Sequence, residues 1–148
     1  MTTDLSPAAA HPTDAHCRLG APEGLSVLVV DDDEDTAQSD AELLTLSGHT
    51  VRTAGCGRDA LRLAADETPD VVLLDIRLPD LSGREVARRL RLQADGHQLL
   101  LVAVTGYGEP DDELRSAAAG IDMHLIKPAD PVLIIALLWH VREALAVC

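Results

Sequence analysis

The sequence predicts an α/β protein of three layers, a parallel five-stranded sheet between two layers of helices. Three observations predict it. Runs at 27–30, 71–74 and 99–104 are aliphatic at every position, as strands covered on both faces are. Helix-length segments lie between the strands, at spacings that fit right-handed βαβ crossovers. The first run ends abruptly in five consecutive carboxylates, residues 31–35, and the second in a single one, Asp75. Carboxylates at the ends of buried strands belong at a sheet rim, where open α/β folds place their ligands.

A chain of 148 residues suits one domain with a proper core. Its composition, 47% hydrophobic and 1% aromatic, makes that core aliphatic and removes the stacking platforms of single-strand binders. A net charge of −13 disfavours nucleic acid and anionic membranes as partners. Cys17, Cys56 and Cys148 are scattered, without metal spacing or a disulfide framework, and fit a reducing compartment. No segment has the length of a membrane span and no signal peptide opens the chain. Cytoplasmic localisation is the expectation.

Residues 1–24, rich in Ala, Pro, Thr and His, read as a disordered leader, and 25–148 as the folded domain. The first strand is 27–30. A helix follows over about 36–47, acidic at its start and stopped by Gly48. A short strand at 50–53 precedes a helix at 58–65. Pro69-Asp70 punctuates, and the strand 71–74 runs into Asp75. The turn-rich loop 78–83 leads to a helix from 84 to about 93. The strand 99–104 ends at Thr105-Gly106. Pro110 starts a helix that Gly120 stops. A strand at 123–126 ends at Lys127-Pro128, and Asp130-Pro131 opens a final helix to 146. This alternation is a flavodoxin-like arrangement, for which the strand order is 2-1-3-4-5.

Parallel strands end on one side, so Asp31, Asp32, Asp75, Thr105 and Lys127 converge. The carboxylates are suited to a hard divalent ion such as Mg²⁺, and one of them to nucleophilic attack on phosphorus. The hydroxyl and the ammonium suit phosphoryl oxygens. Lys127 is the chain's only lysine among twelve basic residues, a compact charge fit for that task.

Four segments carry a resemblance to a known family: 27–32, 71–83, Val104-Thr105-Gly106 and Ile126-Lys127-Pro128. The chain resembles the receiver domains of bacterial response regulators (CheY-like) over about residues 25–145. The resemblance implies that Asp75 accepts a phosphoryl group. It implies that Asp31, Asp32, Asp75 and the backbone carbonyl of Arg77 hold Mg²⁺, Asp31 through water. Thr105 and Lys127 would bind the transferred group, and Thr105 with His124 would form the switch. The Lys127-Pro128 bond would be cis. His124 stands where the family often has Tyr or Phe; an imidazole would add pH sensitivity, and a half-exposed strand histidine fits as well. Arg77 and Tyr107 stand where the family tunes attack by water, and their bulk implies slow dephosphorylation. The segments 105–108 and 124–128 look especially like receivers of hybrid histidine kinases. No kinase or output domain follows, which implies a stand-alone receiver.

The implied partner is a histidine kinase or histidine phosphotransfer protein, in a two-component phosphorelay. The competing class is a degenerate receiver, an interaction module independent of phosphorylation. A calcium loop fits poorly, because Thr36 replaces the required glycine. An aspartyl-phosphate phosphatase fits poorly too, because Arg77 stands where a second aspartate is needed. Arg84, Arg88, Arg89 and Arg91 read as a solvated basic face. The apolar surplus of the final helix around Ile135, Leu138 and Trp139 suggests a homodimer or target surface.

Overall fold

The computed structural model describes residues 24–106 and 117–146. The leader, the helix expected from Pro110, and Tyr107 fall outside the described residues, wholly or nearly so.

The described elements are β1 (Ser26–Val30), α1 (Glu34–Leu46), β2 (Thr50–Ala54), α2 (Gly57–Asp66), β3 (Val71–Asp75), α3 (Gly83–Ala94), β4 (Leu100–Thr105), β5 (Met123–Ile126) and α4 (Pro131–Ala146). The sheet is parallel throughout, in the order β2-β1-β3-β4-β5. β1 and β3, the two strands that deliver the aspartates, are neighbours near its centre.

Strand alternation divides the interior into two cores. Leu28, Val30, Val72, Leu74, Leu101 and Ala103 pack with Val86 and Leu90 of α3 and with Ala60 and Ala64 of α2. Val27, Val29, Val71, Leu73 and Val102 pack with Ala37 and Leu44 of α1 and with Ile134 and Leu138 of α4. The sheet is thus filled on both faces, which is why its strands are apolar at every position.

The helix starts follow from their caps. Asp33 caps α1, accepting from the Asp35 amide at 3.2 Å and the Thr36 hydroxyl at 2.9 Å. The helix therefore begins two residues before the expected Thr36. Past the cap Ser47, Gly48 takes φ +101°, a left-handed conformation that glycine adopts without strain. Ser82 caps α3, accepting from the Glu85 amide at 3.1 Å. The Lys127-Pro128 bond is cis.

Two expectations about helix faces need correction. Arg91 is no solvated surface charge: its guanidinium donates to the carbonyls of Leu99 and Gly120 and pairs with Asp122. It ties α3 to the segments flanking β4, where a strand-edge carbonyl needs a donor. Arg88 and Arg89 pair with Glu85 on the exposed side. In α4, Leu138 belongs to the core at 0% exposure and Ile135 is half-buried, because this helix fills the groove over β1, β3 and β4. Its exposed large apolar residues, among those described, are Val132, Leu133 and Trp139.

Candidate functional site

The strand ends of the parallel sheet assemble an acidic rim. Asp31 lies one residue beyond β1, Asp75 is the last residue of β3, Thr105 the last of β4, and Lys127 follows β5 directly. Asp31 and Asp75 are buried at 6% and 7% exposure, while Asp32 faces solvent. Carboxylate oxygens of Asp31, Asp32 and Asp75 lie within 4.8 Å of one another. The Lys127 Nζ sits 3.1 Å from Asp75 Oδ2 and 3.2 Å from Asp31 Oδ2.

The backbone holds these groups in place. The Asp31 amide donates to the Ala54 carbonyl, and Asp31 Oδ1 accepts from the Asp33 amide at 2.9 Å. Asp75 Oδ1 accepts from the Arg77 amide at 3.0 Å. The Lys127 amide donates to the Thr105 carbonyl at 2.6 Å, which fixes the start of the β5–α4 loop against β4. Thr105 is half-buried beside this loop.

Burial pushes the Asp75 carboxyl above its ordinary value, against the Arg77 amide and the Lys127 ammonium, which lower it. Burial also pulls Lys127 down. The hydrogen bond and charge of Asp75, with those of Asp31, outweigh it and hold the ammonium above its ordinary value. Lys127 is therefore a fixed positive charge at neutral pH.

Three carboxylates face one ammonium, and Lys127 reaches only two of them. The excess of negative charge and the hard oxygen donors fit Mg²⁺, which prefers a few carboxylates and keeps several waters. Asp31, Asp32 and Asp75 are the residues that would hold it.

Asp33, Glu34 and Asp35 are exposed at the start of α1. His124 is half-buried on β5, and its Nε2 has no hydrogen-bond partner among the described residues.

Beside the rim, a cavity of about 680 Å³ opens between α1 and the β5–α4 loop, with Asp31, Thr36, Asp40, Asp75 and Lys127 in its lining. Sequence reasoning passed over Asp40, whose carboxyl is pushed up by burial and by the charge of Asp31. The signal was its place four residues after Thr36, on the same helix face. Asp80 was passed over as well; it lies in the β3–α3 loop and binds the start of α2. Nothing in a local pattern announces a contact of that span.

Comparison with known proteins bears on the fold and the family of the chain. The family model described as "Response regulator receiver domain" matches residues 27–138. Response regulator MprA of Mycolicibacterium vanbaalenii is 38% identical over 102 residues, 69% of this chain and 43% of MprA. The chain thus spans less than half the length of that relative. Polar-differentiation response regulator DivK of Brucella ovis is 36% identical over 104 residues, 70% of this chain and 84% of DivK. Among solved structures, the chemotaxis protein CheY4 of Vibrio cholerae superposes with a TM-score of 0.74 at 29% identity, covering 78% of this chain and 97% of that one. A CheY-like receiver domain protein from Methanospirillum hungatei gives 0.75 at 27% identity, covering 81% and 94%.

Proposed function

Because the chain belongs to the response regulator receiver domain family, we propose that it is a phosphoacceptor of a two-component relay, with Asp75 as the acceptor. The observation that carries the proposal is the ammonium of Lys127 bridging Asp75 and Asp31 at the end of the sheet. The donor is a phosphohistidine of a histidine kinase or of a phosphotransfer protein.

One oxygen of Asp75 is the nucleophile. Its attack forms an O–P bond as the N–P bond to the donor imidazole breaks, and the donor nitrogen keeps the bonding pair. Oδ1, tied to the Arg77 amide, fixes the plane of the carboxylate, leaving Oδ2 on the Lys127 side. Lys127 then exchanges a carboxylate oxygen for a phosphoryl oxygen. Asp31 and Asp32 would hold Mg²⁺ with Asp75 and the Arg77 carbonyl, and a bound ion would supply charge neutralisation for the phosphoryl oxygens. Thr105 binds the arriving group through its hydroxyl. With His124, which lies on β5 opposite Ala103 and two residues back from the rim, its movement carries the change to the protein surface. A slow loss of the phosphoryl group, governed by Arg77 and Tyr107, belongs to the same proposal.

The chain acts as a signalling domain that assists its own phosphorylation. A stand-alone mode of action, by protein contact, is supported by the match to 84% of the length of DivK, and a cytoplasmic location belongs to the same reading. No described helix is long and apolar enough to cross a membrane. The exposed residues Val132, Leu133 and Trp139 of α4 support that helix as the homodimer or target surface.

Incubation with Mg²⁺ and a small phosphodonor should add one phosphate, read by intact mass. Asp75→Asn should abolish it and Lys127→Ala should reduce it by at least 100-fold, on the scale of a lost charge-stabilising donor. A wild-type chain that stays unmodified with every donor would instead favour the interaction module.

A further inference from the structure

The β3–α3 connection, which carries Arg77, is tied down at several points. The Gly83 amide donates to the Ile76 carbonyl at 2.8 Å, and Arg77 and Ser82 form an antiparallel bridge. A longer-range tie comes from Asp80. Its Oδ1 accepts from the amides of Gly57 and Leu81, each at 2.8 Å, and its Oδ2 from the Arg58 amide at 3.0 Å. Gly57 and Arg58 are the first two residues of α2.

A helix start carries amides with no partner inside the helix, and its own N-cap side chain commonly serves them. The N-cap of α2 is Cys56, whose side chain makes no capping bond. The cap comes instead from a carboxylate more than twenty residues away, in the loop beside the acceptor. The three amides hold Asp80 down at a pKa of about 2, so it remains an anion at any working pH. Packing reinforces the tie. A Cβ on Gly57 would lie 3.1 Å from Leu81 Cβ and 2.7 Å from Val86 Cγ2, so the loop and α3 press directly on the start of α2.

We propose that Asp80 is a positioning residue for the acceptor site: by binding the first amides of α2 it fixes the loop that presents Arg77 to the metal. This rests on the reading of Asp75 as a Mg²⁺-assisted acceptor. The same carboxylate serves the helix and the loop, so its removal frees both. A new cap on α2 repairs only the helix.

The test uses the full chain as wild type, Asp80→Asn, Asp80→Ala, and Asp80→Ala combined with Cys56→Ser. The serine restores a local cap, since Cys56 already has the extended backbone of an N-cap, φ −153° and ψ 167°. Three quantities are read: melting temperature, hydrogen exchange of residues 76–83, and Mg²⁺ affinity by calorimetry. Asp80→Ala should lower the melting temperature, speed exchange in 76–83, and weaken Mg²⁺ on the order of tenfold, as lost supports of metal ligands do. Asp80→Asn, which keeps one acceptor oxygen, should fall between. Adding Cys56→Ser should recover the melting temperature but neither the exchange protection nor the affinity. The proposal is overturned if Asp80→Ala binds Mg²⁺ like the wild type, or if Cys56→Ser restores all three. A wild-type chain that takes up no Mg²⁺ overturns the acceptor reading itself, and this proposal with it.

Discussion

At the scale of single residues, His49 shows how burial selects a protonation state. It is 3% exposed, just before β2, and its Nδ1 accepts from the Leu25 amide at 3.0 Å. An accepting Nδ1 belongs to the neutral ring, with the proton on Nε2. The ring faces Trp139 at 5.6 Å, and the Arg142 guanidinium lies 4.7 Å over that indole. Burial first, and the Arg142 charge second, hold His49 below its ordinary 6.5. A depressed folded pKa means that the unfolded chain takes the proton more readily. This share of stability is complete above pH 6.5 and is lost as the pH falls through and below it. The His49 contribution should therefore lower the melting temperature between pH 7.5 and 5.5. The part of that slope due to His49 should vanish in His49→Leu, while an unchanged slope would assign it elsewhere. Trp139 is the only tryptophan, so its fluorescence reads the same event.

At the scale of elements, the entry to α3 is a tightly packed junction. A Cβ on Gly83 would lie 2.5 Å from Ile76 Cα and 2.8 Å from the Asp75 carbonyl oxygen. Both obstacles are backbone and cannot rotate away, so Gly83→Ala must push the helix start off the loop. Overpacking of this kind costs about 1–3 kcal/mol. Urea unfolding should show a loss in that range, with the m-value unchanged. Truncation in the opposite core offers a contrast. Leu138→Ala should cost roughly 2–5 kcal/mol by leaving a hole between α4 and the sheet, and should leave the acceptor loop untouched.

At the scale of the whole molecule, a net charge of −13 stores repulsion that is sharpest where three aspartates meet. Monovalent salt should raise the melting temperature by screening it. At equal ionic strength Mg²⁺ should raise it further, and that surplus should disappear in Asp32→Asn. The same scale explains what was legible. Strands filled on both faces write themselves as apolar runs, so β1, β3 and β4 and their order were readable. Their parallel direction brought Asp31, Asp75 and Lys127 together on paper before any geometry. The acidic start of α1 was legible too, although its first turn begins two residues before 36 because Asp33 caps it through its own side chain. Arg91 and Asp80 were unreadable for a deeper reason. Each satisfies backbone groups distant in sequence, and a backbone amide or carbonyl leaves no mark in the letters.

The bridge from Lys127 to Asp75 and Asp31 has an analytical use. With no other lysine in the chain, an amine-acylating reagent meets a single side-chain target, and that target lies inside the site. Its side chain is 31% exposed, open enough to be labelled, and its proton is held tightly by the two carboxylates. The labelling rate is then a direct gauge of what stands beside the amine. The rate at Lys127 should rise in Asp75→Asn, read on the Lys127 peptide so that acylation of the chain's α-amine is counted apart.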